Sequence, residues 1–302
     1  MEGRSDISVF MSRLAPGAQQ WSEPVQLSHD TERSEQNPIL FPAPDGTLWA
    51  TSDAGSDFQR LGRLDPASGK FTPVSKEQWD VDSFDVSDDG KTIVYEVNEA
   101  GSDRMRILDV ASGKVTKVDA LPAGQIGGLE IAPWGEIGFS FSSAKSAADV
   151  WSLDPKTMQL TRWTTSETGG LDPSLNVEPR FVTTKSFDGL EVTGLLYLPD
   201  PAKFPGKRPL IVDVHGGPEG QSTTGFAGAG NYILNELGIG VFFPNVRGST
   251  GYGKTFVSLD NGPFKREDSV RDMEALIDPV RADKGVDPAK IGLTGGSYGG
   301  YM

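Results

Sequence analysis

Residues 291–300 read IGLTGGSYGG. The opening four fit a short buried strand. They run directly into G-x-S-x-G, built from Gly295, Ser297 and Gly299. A serine on a sharp turn between strand and helix takes a strained backbone so that its hydroxyl projects, and side chains at the flanking glycines would collide with neighbouring chain. The string alone is weak in a sequence with 37 glycines, where a Gly-rich turn holding a structural serine is the plain alternative. Its position directly after a strand makes it a nucleophile-elbow pattern, with Ser297 as candidate nucleophile.

Upstream, strand and helix alternate. Residues 181–186 and 190–198 flank an Asp188-Gly189 turn and predict a hairpin. Residues 209–214 (PLIVDV) and 239–243 (IGVFF) read as strands covered on both faces. Residues 226–237 predict a helix stopped by Gly238. Residues 265–278 predict another, with Val270, Met273 and Ile277 on its inner face and Pro279 ending or kinking it. That alternation implies a mostly parallel, doubly wound sheet.

Two loops follow the apolar strands. His215-Gly216-Gly217-Pro218 stands where hydrolases of this architecture place an oxyanion-hole N–H, and the partner donor is the N–H of Tyr298. His215 as general base is one reading. The chain order Ser…Asp…His of such enzymes favours a loop-shaping role for it instead. The second loop, residues 244–254 (PNVRGSTGYGK), carries Arg247, which either contacts substrate or ties the loop down. Residues 248–255 (GSTGYGKT) match the letters of a phosphate-binding loop, but no helix is expected after them, which argues against nucleotide.

The N-terminal half repeats. Asp45-Gly46, Asp89-Gly90 and Trp134-Gly135 recur at intervals of 44 and 45 residues, and Leu64-Asp65, Leu108-Asp109 and Leu153-Asp154 keep the same step. A period near 44 residues of short strands and turns is a propeller-blade period; a β-sandwich has no reason to repeat its sequence. Three blades are clear, and residues 7–27 suit a degenerate fourth. The expected organisation is an all-β propeller of about three to four blades over residues 1–165, a linker at 166–180, and the N-terminal half of an α/β-hydrolase domain over 181–302.

Composition narrows the chemistry. With no cysteine there is no disulfide framework, thiol nucleophile or Cys-based zinc site. Two histidines 186 positions apart, His29 and His215, form no local metal motif, and His29 reads as a surface residue. No metal or cofactor is expected. A net charge of −14 without a basic cluster argues against nucleic acid. The longest uncharged stretch, residues 220–235, is too polar to span a membrane, and no signal peptide is visible, so a cytoplasmic location is expected.

Together, residues 213–218 (DVHGGP), 245–253 (NVRGSTGYG), 295–302 (GGSYGGYM) and the 185–189 hairpin (KSFDG) resemble the prolyl oligopeptidase family of serine peptidases, nearest its acylaminoacyl-peptidase and dipeptidyl-peptidase-like branch. The resemblance implies a propeller capping a hydrolase domain, small peptide substrates, Ser297 as nucleophile, and the N–H groups of Gly217 and Tyr298 as oxyanion hole, with His215, Gly216 and Arg247 shaping the loops. The family's acid and histidine follow the nucleophile, whereas here five residues follow Ser297. The expectation is a section of a longer protein, nearly inactive by itself. An esterase on the same fold and a non-catalytic propeller binding module are the alternatives.

Overall fold

The computed structural model describes residues 7–27, 34, 41–260 and 265–302. His29, Leu40 and Pro263 lie outside the described residues.

The chain opens with a two-stranded antiparallel sheet, β1 (Phe10–Met11) and β2 (Val25–Gln26). Three four-stranded antiparallel meanders follow. The first is β3 (Phe41–Pro42), β4 (Leu48–Ser52), β5 (Arg60–Leu64) and β6 (Phe71–Pro73). The second is β7 (Asp80–Val86), β8 (Thr92–Glu99), β9 (Ser102–Asp109) and β10 (Val115–Lys117). The third is β11 (Gly124–Ile131), β12 (Ile137–Ser143), β13 (Ser146–Asp154) and β14 (Gln159–Arg162). These are propeller blades, and the repeated aspartates make their turns. Asp45 accepts from the Thr47 N–H (3.1 Å) and hydroxyl (2.7 Å), and Asp89 from the Lys91 N–H (3.1 Å). Asp65, Asp109 and Asp154 hold the following hairpin turns by bonds to backbone N–H groups two or three residues on. Blades pack face to face. Trp49 and Leu61 of the first meet Val81, Phe84 and Tyr95 of the second, while Val94 and Met105 of the second meet Ile126, Ile137 and Phe139 of the third. No blade buries its own faces alone.

The rest is a five-stranded sheet: β15 (Arg180–Lys185), β16 (Glu191–Tyr197), β17 (Arg208–Val214), β18 (Gly240–Asn245) and β19 (Val286–Gly295), in the order β15-β16-β18-β17-β19. It is mixed rather than mostly parallel. β18, β17 and β19 are parallel neighbours, and the β15–β16 hairpin joins β18 antiparallel. Helix α1 (Gly230–Asn235) covers one face, with Leu234 against Leu195, Tyr197 and Val241. After α2 (Lys254–Ser258), α3 (Arg266–Arg281) covers the other, with Met273, Leu276 and Val280 against Leu196, Leu210 and Phe242. The short α4 (Tyr298–Tyr301) ends the chain.

Four further expectations change. The helix expected over 226–237 shrinks to α1, because Gly228 sits at φ +51° and interrupts the helical path. Pro279 lies inside α3 rather than ending it. The residue lacks one donor near the C-terminal end, and burying Val280 carries the helix another turn. Val270 is exposed, since the inner face of α3 instead includes the polar Ser269 and Asp272. A helix does form at the end of the 248–255 segment, where α2 starts at Lys254. Its start is docked on the first blade: the Lys254 ammonium donates to the Asp53 carbonyl (3.1 Å) and the Thr255 N–H to Asp57 Oδ1 (2.7 Å).

Candidate active site

Ser297 joins β19 to α4 with φ 55° and ψ −119°, a left-handed setting that a non-glycine residue holds only when its surroundings impose it. The glycines on either side explain how. A Cβ on Gly299 would lie 2.0 Å from the Val214 carbonyl oxygen, and one on Gly295 would lie 2.4 Å from the Gly299 oxygen. Bare backbone is therefore required for the elbow to press against the end of β17. Bonds from the Gly299 N–H to the Gly296 oxygen (2.9 Å) and from the Gly300 N–H to the Ser297 oxygen (3.0 Å) lock the turn.

The loop after β17 meets the elbow. A Cβ on Gly216 would be 3.4 Å from the Ser297 Cβ and 4.0 Å from its Oγ, so the Gly216 backbone lies directly beside the serine. Gly217, at φ 131°, turns the chain so tightly that a Cβ there would sit 2.6 Å from the Glu219 nitrogen. Tyr298 is the first residue of α4, where N–H groups have no intrahelical acceptor.

His215 bridges two loops. One ring nitrogen contacts the Gly216 oxygen (2.9 Å) and the other Ser249 Oγ (3.0 Å). Burial lowers its pKa, with the Gly216 contact opposing. Both nitrogens contact loop atoms rather than Ser297.

Arg247 is buried at 3% exposure and ties the second loop down. Its Nε and Nη2 donate to the two Asp272 oxygens (2.8 Å each), and Nη1 and Nη2 donate to Asp188 (2.9 and 3.1 Å). Burial alone would lower its pKa, but the bonds to Asp272 and Asp188 outweigh that and leave it raised. Ser186 adds a bond to Asp272 (2.5 Å), so hairpin, loop and α3 share one carboxylate.

Sequence reasoning passed over Asp272, Ser249 and Asp260. The last, 2% exposed, accepts from the Tyr298 hydroxyl (2.8 Å) and Ser269 Oγ (2.6 Å). Apart from the Val246 oxygen that Ser249 Oγ reaches three positions back, their partners lie 9 to 86 positions away, so little that is local marks them.

Blades and the loops of the C-terminal sheet face each other across a cavity of about 390 Å³ lined by Asp57, Asp80, Asp82, Glu219, Thr250 and Lys254. Asn98 bonds Gln221 (2.7 Å), the Thr224 N–H bonds the Gly101 oxygen (2.7 Å), and Trp79 meets Tyr252 edge-on (centroids 5.8 Å). The larger cavity, about 670 Å³, lies between the second and third blades and includes no residue of the elbow. Among the described residues no three His, Asp or Glu side chains gather as a metal-ligand set, and no helix is long and apolar enough to cross a membrane.

Residues 225–302 match the sequence profile of the prolyl oligopeptidase family, and residues 1–125 match that of a BNR repeat-like domain. The C-terminal quarter is thus similar in sequence to the prolyl oligopeptidase family. It is 28% identical over 290 residues to dipeptidyl aminopeptidase BIII of Pseudoxanthomonas mexicana, a match covering 87% of this chain and 40% of the relative. It is 34% identical over 125 residues to the uncharacterized peptidase YuxL of Bacillus subtilis, covering 41% and 19%. The crystal structure of puromycin hydrolase superposes with a TM-score of 0.80 at 23% identity, covering 93% of this chain and 43% of that one. The chain thus spans less than half the length of these relatives.

Proposed function

We propose that the whole protein is a serine peptidase of the prolyl oligopeptidase family that hydrolyses short peptides, in the manner of a dipeptidyl- or acylaminoacyl-peptidase. The observation that carries this reading is Ser297, strained at the strand–helix turn with the Gly216 backbone against it. In the proposed reaction Ser297 Oγ bonds to the scissile carbonyl carbon, and its proton passes to a histidine base outside residues 1–302. The resulting oxyanion takes hydrogen bonds from the N–H groups of Gly217 and Tyr298. The bond to the leaving amine then breaks, the amine takes the proton, and water hydrolyses the acyl ester. His215, Gly216 and Arg247 hold the loops in place. The propeller docked over the hydrolase loops supports short rather than folded substrates.

On this reading residues 1–302 alone react slowly, since only oxyanion and binding contributions operate without a base. A fluorophosphonate probe tests it. The whole protein labels stoichiometrically at Ser297 and Ser297→Ala does not, while the 302-residue chain labels at a small fraction of that rate. Labelling of Ser297→Ala at the wild-type rate refutes the nucleophile. Faster turnover of simple esters than of peptide amides by the whole protein would favour an esterase.

A further inference from the structure

Asp260 carries a cost that the fold does not explain. It is 2% exposed, and its Oδ2 has no hydrogen-bond partner among the described residues. A buried carboxylate with an unpartnered oxygen is unfavourable compared with an amide or an apolar side chain. Its other oxygen is used fully. Oδ1 accepts both the Tyr298 hydroxyl, at 2.8 Å, and Ser269 Oγ, at 2.6 Å, where Ser269 is a fully buried residue of α3. The loop holding Arg247 closes over it, since a Cβ on Gly248 would lie 2.7 Å from the Asp260 Cβ. Tyr298 is gripped further by the Arg266 guanidinium, 5.7 Å from its ring centroid.

Tyr298 follows Ser297 directly. Its side chain is anchored in the protein while its backbone N–H opens the first turn of α4 beside the serine. We infer that Asp260 is a positioning residue: by fixing the Tyr298 phenol it sets the direction of the Tyr298 N–H toward the oxyanion. This inference rests on the proposed role of Ser297 and Tyr298. Preorganised donors act through orientation, so a small rotation of α4 weakens the transition state while leaving substrate binding alone.

The test uses the whole protein with a short peptide p-nitroanilide, comparing wild type, Asp260→Ala, Tyr298→Phe, their double variant and Ser297→Ala, with Asp260→Asn as the conservative control. Tyr298→Phe keeps the backbone and ring and removes only the hydroxyl. Asp260→Ala and Tyr298→Phe are each expected to lower kcat about tenfold with KM within twofold. The double variant is expected to be no worse than the poorer single, because both break one linkage. Asp260→Asn keeps an oxygen acceptor for the Tyr298 hydroxyl and is expected to retain most of the wild-type kcat, a rescue that separates loss of the bond from loss of the charge and that a residue acting only on stability would not show. Wild-type kcat in Tyr298→Phe, or multiplicative losses in the double variant, overturns the inference. If Asp260→Ala does not fold, Tyr298→Phe decides alone. Undiminished turnover by Ser297→Ala instead overturns the underlying assignment of the nucleophile.

Discussion

Glu96→Gln should stabilise the protein, and by an amount that depends on pH. Glu96 sits in β8, the second strand of the middle blade, at 8% exposure. Burial pushes its carboxyl from an ordinary 4.5 up to about 8; repulsion from Asp103 and Asp82 adds to this, and a bond from Ser83 opposes it. The folded value lies above the unfolded one, so between them the native state holds the extra proton. The stabilisation this provides is complete below about pH 4.5 and is lost as pH rises through 8, at up to about 1.4 kcal/mol per unit. At pH 7 the interval above 4.5 is 2.5 units, a penalty of about 3 kcal/mol relative to acid conditions. Glutamine carries no titrating proton and keeps an acceptor for Ser83. Urea unfolding at pH 5, 7 and 8.5 is the assay. The gain of the variant over wild type should be small at pH 5, about 3 kcal/mol at pH 7 and larger at 8.5. A gain of the same size at every pH, or a loss at pH 8.5, would refute the reasoning.

Arg247→Met strands the fully buried Asp272 carboxylate and should cost about 3–5 kcal/mol in urea unfolding, almost all through Asp272, because Asp188 is 41% exposed and screened; a loss below about 1 kcal/mol would contradict the buried-pair account. Gly299→Ala should abolish fluorophosphonate labelling of the whole protein, because its Cβ would meet the Val214 oxygen at 2.0 Å, whereas Gly300→Ala, whose nearest contact is 3.2 Å, should retain most of it. Acid should loosen the blade turns: Asp89 is held down to about 2 by bonds from Lys91 and Ser87, and Asp45, Asp65, Asp109 and Asp154 are lowered in the same sense. A lowered carboxylate stabilises above its ordinary 3.8 and loses that contribution as pH falls toward 2, so Asp89→Asn should flatten the acid limb of a pH–Tm curve, and an unchanged limb would count against it.

The features legible in the sequence are those whose causes are local. Asp45 and Asp89 reach N–H groups two residues on, so each turn leaves the same mark wherever a blade repeats it. The elbow is legible for a related reason: Gly295 and Gly299 must lack side chains because of contacts that any strand–turn–helix of this shape imposes. Pro279 misled for the opposite reason. Its local cost is genuine, yet it falls near a helix end where the burial of Val280 outweighs it.

Arg247 stands between these cases. Its loop was legible, but the choice between substrate contact and tie rests on Asp188 and Asp272, 59 and 25 positions away. Asp260 is the limiting case. It serves Tyr298, 38 positions on, through a single hydroxyl, and no spacing or periodicity encodes that. Groups that do chemistry are displayed by local backbone geometry, while the groups that aim them are recruited from wherever the fold passes close by. The aiming residues are therefore found by asking which buried polar atoms are worse off than stability alone would leave them. Asp260 Oδ2 meets that criterion beside the candidate nucleophile, and Glu96 Oε2 meets it in the blade. The two differ in what the odd carboxylate touches. Glu96 lies beside like charges, so its removal should only stabilise. Asp260 holds the residue next to Ser297, so its removal should leave the fold standing and slow the chemistry.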